Sequence, residues 1–305
     1  MKLHRTLCSA ALGLGLLAMP CPVRPETVSD PIPPHGGGQR TREAVLNHRY
    51  PRLVIVISID QLRYDYLTRF SDLFLPAFDA EGNVGGFRLL MERGAMMANA
   101  HYNHLPMFTG PGHATILTGA TPSDSGIISN EWLTSAGQSM NCVGDPTVEV
   151  VGAGTVRPAN RRRGSSSPRN LQAETVGDVL RLSNNMQSKV IGIAIKDRGA
   201  ILLTGKNPTA AVWFDTASGN WVTSTYYTSG TLPSFAERAN RERLADAWVG
   251  AEWDYLLPAE AYRRSAPSGV EGSADGGGLG PGFPKKLSEP GATPDPTYWR
   301  QMTVS

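Results

Sequence analysis

Five polar side chains stand where apolar runs break off. Asp60 ends VIVISID, Thr109 sits on the corner in HLPMFTGPGHATILTG, Asn130 falls in GIISNEW, and Lys196 and Arg198 follow VIGIAI in VIGIAIKDRGA. A carboxylate closing a buried run is not placed there for packing, since burying it unpaired is costly. Asp60 therefore suits a ligand site at the carboxyl end of a strand, and it suits a helix N-cap equally well. Thr109 can cap the helix that Gly110 and Pro111 open and Gly119 closes. The same corner presents free N–H groups and a partial positive charge to an anion. A hydroxyl there, beside a metal ion, can ionise and attack phosphorus, and Gly110 and Gly112 allow a close backbone approach. Asn130 can donate to a substrate oxygen or simply turn the chain. Strand alternation would put Lys196 and Arg198 on one side and Asp197 on the other. Two cations so aimed make an anion clamp; the alternative is an exposed strand end with a local ion pair. His101, His104 and His113 lie near Thr109 but form no H-E-x-x-H pattern, so they read as supporting or structural residues.

These residues need a frame to bring them together. RLVIVISI, beginning near Arg52, predicts a strand buried on both faces of a parallel sheet. GGFRLLMERG predicts a helix stopped by Gly94, AMMANAHY a short second strand, and HATILTG a helix. NLQAETVGDVLRLSNN has helical spacing of Leu171, Val176, Val179 and Leu180, and KVIGIAI is another buried strand. Alternating strands and helices predict an α/β fold, with a mostly parallel sheet and helices on both faces. After about residue 205 the texture changes. AVWFDTASGNWVTS reads as a hairpin around Ser-Gly-Asn, residues 230–263 as helical and aromatic, and residues 265–297 as irregular and Gly/Pro-rich. The expected organisation is a signal peptide at 1–21, a flexible lead-in at 22–50, a core at 51–205 and a cap or insertion at 206–305. No internal repeat is present.

Bulk properties narrow the partners. The chain has 305 residues, 40% of them hydrophobic, and a formal charge of +2 with no basic stripe, so nucleic acid is not the implied partner. The three arginines of GAGTVRPANRRRGSSSPR could grip phosphate or form a solvated loop tip. Lys2 and Arg5 precede the apolar run LCSAALGLGLLAM, the pattern of a secretory signal too short for a confident membrane span. The expected location is periplasmic or secreted, with no stable span once the signal is removed. If Cys8 and Cys21 leave with it, Cys142 is left unpaired and supports no disulfide framework.

In order, VISIDQLRYDYL, HYNHLPMFTGPGHATILTGATPSDSGIISNEW, NLQAETVGDVL and IAIKDRGA resemble the alkaline phosphatase superfamily. The likeness is to its periplasmic branch of phosphate monoesterases with a threonine nucleophile, close to the nucleotide pyrophosphatase/phosphodiesterases. The resemblance implies that Asp60 binds zinc and that Thr109 is the nucleophile on that zinc. It implies that Asn130 bonds a phosphoryl oxygen and that Lys196 and Arg198 neutralise the others. The implied reaction is a double displacement of small phosphate esters through a phosphothreonine, cleaved by zinc-activated hydroxide. Ser125-Gly126 stands where diesterase relatives often carry His-Gly, which favours the monoesterase branch. Cys142 lies in NCVGDP, not in the C-x-P-S-R context of a sulfatase. A site for two zinc ions needs about six protein ligands, and only Asp60 and Thr109 match; no D-x-x-x-H follows residue 205. The expectation is thus an N-terminal portion of a longer enzyme, unable to turn over substrate alone. A phosphodiesterase and a non-catalytic anion-binding remnant are the alternatives.

Overall fold

The computed structural model describes residues 51–303 apart from 81, 83, 106, 155–164, 266 and 271–277. The signal and lead-in readings, and the triple arginine, lie outside the described residues. The chain divides into two units at Ile59. In the first unit, residues 51–59 form no strand, and Leu53, Val54, Ile55 and Ile57 are 70% or more exposed. This corrects the reading of RLVIVISI as a doubly buried strand. A β-branched run supplies propensity, but a strand also needs partners on its edges and cover on its faces.

The second unit begins at Asp60. Gln61, in the left-handed region at φ 61°, turns the chain toward helix α1 (Tyr64–Arg69). Helix α2 (Gly86–Arg93) ends at Gly94, whose N–H bonds Leu90 O at 2.9 Å. A Cβ there would lie 2.5 Å from Leu90 O, so close approach demands the glycine. AMMANAHY forms no strand, contrary to expectation; Met96, Met97 and Tyr102 are exposed, and among the described residues no strand pairs with the segment to fix it. Helices α3 (Thr109–Thr118) and α4 (Pro122–Ser125) follow, each closed by a left-handed glycine, Gly119 and Gly126.

Short antiparallel pairs come next: β1 (Glu131–Leu133) with β2 (Ser139–Asn141), and β3 (Gly144–Asp145) with β5 (Ser165–Ser166). The four-stranded sheet has the order β4 (Val150–Val151), β8 (Asn220–Ser224), β7 (Ala210–Asp215), β6 (Ile191–Ala194). Its one parallel pair is β6 with β7; the β7–β8 hairpin and β4–β8 are antiparallel. The α/β class stands, but the described sheet is not mostly parallel as expected, because the tight hairpin between β7 and β8 forces an antiparallel pair and β4 joins β8 antiparallel; strand pairing continues across residue 205. β7 is buried throughout, whereas β6 lies at the end of the described sheet with Ile191 and Ile193 about half exposed, so KVIGIAI is not the doubly buried strand expected.

Helix α5 (Val176–Ser183) starts with a capping box, and its fully buried residue is Asp178, not the apolar set at helical spacing. Asp178 accepts hydrogen bonds from Thr175 N and Oγ1 on one oxygen and from Lys206 N and Asn207 N on the other. It thereby ties the start of α5 to the loop after α6 (Asp197–Thr204). Gly205, at φ 79°, has no room for a Cβ, which would fall 2.0 Å from Asp178 Oδ2. The main core joins Ala114, Ile127, Cys142, Leu171, Ile201, Leu202, Trp213 and Val222. Further along, α7 (Ser234–Arg241) and the pair β9 (Glu252–Trp253) with β10 (Lys285–Lys286) lead to α8 (Pro296–Met302). Trp299 of α8 lies over the hairpin turn, filling the space a Cβ on Gly219 would take, and builds a second cluster with Phe214, Leu287 and Tyr298.

Replacing Asp178 by Ala strands the buried N–H donor of Thr175 and takes the acceptor from the part-buried N–H groups of Lys206 and Asn207. A loss of about 2–4 kcal/mol is expected in urea unfolding; a loss under about 0.5 kcal/mol would remove Asp178 from this role.

Candidate functional site

Thr109 is not the N-cap that its sequence position allows: the cap position is Phe108, which makes no side-chain bond. Thr109 is the first helical residue, which leaves its hydroxyl free to turn outward. That hydroxyl donates to Asp60 Oδ2 at 2.9 Å, across 49 residues of sequence. Asp60 is exposed in a turn before α1 rather than at a strand end, so its carboxylate can face an incoming group.

Gly110 N–H donates to Asn130 Oδ1 at 2.7 Å. Because only the oxygen can accept, this bond fixes the amide and leaves Nδ2 with no hydrogen-bond partner among the described residues. Gly110 has to be small. A Cβ would lie 3.0 Å from Ser129 O, 3.2 Å from Asn130 Oδ1 and 3.2 Å from Cys142 Sγ. His113 Nδ1 lies 2.8 Å from Thr109 O; a carbonyl only accepts, so Nδ1 carries the proton and steadies the first turn. His104 bonds Thr115 and His101 bonds Asn99, both through Nε2.

Lys196 and Arg198 are not alternating strand residues. β6 ends at Ala194, Lys196 is the exposed N-cap of α6, and Asp197 and Arg198 lie in its first turn. The strand alternation expected to set the two cations apart from Asp197 therefore does not apply; Asp197 lies between them at the helix start, with its carboxylate bonded to Ser166 Oγ and to the Arg198 N–H. The start of α6 packs on α3: a Cβ on Gly199 would sit 3.9 Å from His113 Nε2. Arg198 Nε is buried and has no hydrogen-bond partner among the described residues, so a donor is held ready for an acceptor. Burial pushes the Cys142 thiol up to about 11, against a lesser downward pull from the Arg198 charge and an upward push from Asp197. Arg198 and Asp197 are thus within electrostatic reach of the floor beneath Gly110.

Two neighbours were not legible in the sequence. Tyr102 OH faces the space beside Gly112, and its phenol is raised by burial and then by the Asp60 charge. Ser166 donates to Asp197 Oδ2 at 2.6 Å. Neither carries a spacing signal, because both meet the site through tertiary contact alone.

The oxygens of Asp60 and Thr109 make a donor pair that one divalent ion can share. Among the described residues no three His, Cys, Asp or Glu side chains converge to complete such a site. What the arrangement offers is a hydroxyl next to a carboxylate, at a helix start, beside an oriented amide, with a guanidinium whose Nε has no partner among the described residues on the first turn of the helix packed against it. That set suits attack on an electrophile bearing anionic oxygens.

A profile of the type I phosphodiesterase / nucleotide pyrophosphatase family matches residues 54–267. The chain is 38% identical over 222 residues to the alkaline phosphatase PafA of Elizabethkingia meningoseptica, covering 72% of this chain and 38% of that protein. It is 38% identical over 216 residues to the alkaline phosphatase PhoV of Synechococcus elongatus, covering 70% and 36%. The crystal structure of wild-type PafA superposes with a TM-score of 0.64, covering 74% of this chain and 41% of that one. A PafA variant substituted at one threonine, one asparagine, one lysine and one arginine matches equally well, with a TM-score of 0.64, 36% identity, and coverage of 74% of this chain and 42% of that one. The chain spans about two fifths of the length of these relatives.

Cys142, buried and with its thiol pushed up to about 11, is expected to resist Ellman's reagent at pH 8 in the folded protein and to react after unfolding in guanidinium. Mass spectrometry of the Cys142 peptide reads the outcome; labelling at the unfolded rate in native buffer would contradict the buried floor.

Proposed function

The chain belongs to the type I phosphodiesterase / nucleotide pyrophosphatase family, within the alkaline phosphatase superfamily, and from that premise we propose that it carries the nucleophile and phosphoryl clamp of a phosphate monoesterase. The observation that carries this reading is the Thr109–Asp60 hydrogen bond at the start of α3, with Asn130 fixed one residue along.

Thr109 Oγ1 attacks phosphorus as its proton leaves toward Asp60. The new bond is P–O to Thr109, and the bond that breaks is P–O to the leaving alkoxide, which departs on the opposite side and takes a proton from water. Charge grows on the phosphoryl oxygens as this happens. Asn130 Nδ2, Arg198 and Lys196 donate to those oxygens, and the positive end of α3 adds to their effect. Water then cleaves the phosphothreonine and restores the hydroxyl. Zinc, held by Asp60 and Thr109, would supply a Lewis acid that lowers the pKa of the hydroxyl, in a complete enzyme with two such ions. The PafA variant noted above is altered at the same four residue types, with its threonine–asparagine and lysine–arginine separations matching Thr109 to Asn130 and Lys196 to Arg198. That agreement supports the assignment of these four side chains.

Small phosphate esters are the proposed substrates. The N-terminal signal pattern supports a periplasmic or secreted location, and among the described residues no helix is long and apolar enough to cross a membrane. The family's own description keeps a phosphodiesterase as the second reading.

Hydrolysis of p-nitrophenyl phosphate with added zinc tests the proposal in the full-length protein. Thr109→Ala is expected to reduce turnover to background; retained turnover would overturn the nucleophile assignment. Replacing Lys196 and Arg198 together by Ala should cost about 10²–10³-fold on this monoester and clearly less on bis(p-nitrophenyl) phosphate, which has fewer charged oxygens. Equal losses on both would favour the diesterase.

A further inference from the structure

Asp197 poses a problem for any anion clamp made of its two neighbours. A carboxylate between Lys196 and Arg198 can fold onto either cation and neutralise it before a phosphoryl group arrives. The structure shows where that carboxylate goes instead. Asp197 Oδ2 accepts from Ser166 Oγ at 2.6 Å, and Asp197 Oδ1 accepts from the backbone N–H of Arg198 at 2.8 Å. Both oxygens are therefore engaged, one by a hydroxyl 31 residues away and one by the first turn of α6. Arg198 Nε, meanwhile, is buried and unpartnered among the described residues.

Ser166 is well placed for this. It is buried at 9% exposure on β5, opposite Gly144 of β3. The next residue, Ser167, donates its hydroxyl to Asp145 Oδ2 at 2.6 Å and its N–H to Val143 O at 2.8 Å, which fixes the strand in place. The chain just before Val143 is also tied to the site, since Cys142 N–H donates to Asn130 O at 2.9 Å. One short brace thus touches Asn130 at one end and Asp197 at the other.

We propose that Ser166 is a positioning residue that holds the Asp197 carboxylate away from the cations, leaving Arg198 and Lys196 free to take the phosphoryl group. This rests on the phosphatase reading and adds to it a residue outside the reacting set. A charge-assisted hydrogen bond from a buried hydroxyl is strong enough to compete with an ion pair to the exposed Lys196, which is worth little in water, and with the bond to the Arg198 N–H it leaves neither carboxylate oxygen without a partner for Arg198 to capture. Loss of the hydroxyl frees one carboxylate oxygen to swing onto a neighbouring cation.

The test uses the full-length protein and inorganic phosphate as the probe, read as its competitive inhibition constant against p-nitrophenyl phosphate, with kcat and KM measured alongside. Ser166→Ala should weaken phosphate binding and raise KM about tenfold. Adding Asp197→Asn, which removes the competing charge, should recover most of that loss. In an Arg198→Ala, Lys196→Ala background, Ser166→Ala should have no further effect. If Ser166→Ala fails to fold, Ser166→Cys, similar in size and a weak donor, is read by the same criteria. An unchanged inhibition constant in Ser166→Ala overturns the positioning role alone. So does an equal loss with and without the two cations, or no recovery with Asp197→Asn. A parent protein that neither hydrolyses the ester nor loses phosphate affinity on removal of Arg198 and Lys196 overturns the phosphatase reading, and this inference with it.

Discussion

Everything at this site depends on two helices starting close together. α3 brings Thr109 and the Gly110 N–H that orients Asn130, while α6 brings Arg198. Their contact is made by small or flat groups. Gly199 lies between α3 and β6, where a Cβ would sit 3.9 Å from His113 Nε2 and a tight 3.0 Å from Ala194 Cβ, and Ala114 and Ala200 are almost wholly buried. Close packing of this kind transmits small changes in volume directly. A larger side chain at 199 would press first on Ala194 of β6 and shift the start of α6, moving Arg198 relative to Thr109 without touching either.

Asp178 and the Ser166–Asp197 pair serve the same geometry from opposite ends of α6. Asp178 fixes the loop that leaves the helix, through bonds to Lys206 N and Asn207 N, and Asp197 fixes the turn that begins it. The cations at the start of α6 are thereby held by backbone anchored at both ends. Long flexible side chains lose much rotamer freedom on binding an anion, so a rigid base for them limits what further ordering costs.

The sequence carried the local features well. The Gly119 stop, the hairpin around Ser-Gly-Asn and the Gly94 terminus each rest on one or two residues with restricted backbone roles, and such signals survive any tertiary context. The proximity of Asp60 to Thr109 was also legible, though for a reason that changed: Asp60 comes from a turn, and Thr109 from inside the helix rather than its cap. What failed was inference from apolar runs. RLVIVISI and AMMANAHY have strand composition but form no strand in the structure, and Ile191 and Ile193 are half exposed because β6 lies at the end of the described sheet. Composition cannot report which partners a strand will have. Ser166, Tyr102 and the Cys142 floor were equally hidden, since each reaches the site through contacts distant in sequence.

The central claim is that Thr109 itself becomes phosphorylated. The direct measurement is rapid acid quench of the full-length protein during turnover of p-nitrophenyl phosphate, followed by peptide mass spectrometry. The account predicts a phosphoryl group on the peptide containing Thr109, located to that hydroxyl and absent in Thr109→Ala. A phosphoryl group on another residue, or steady turnover with no protein adduct at any quench time, would contradict it.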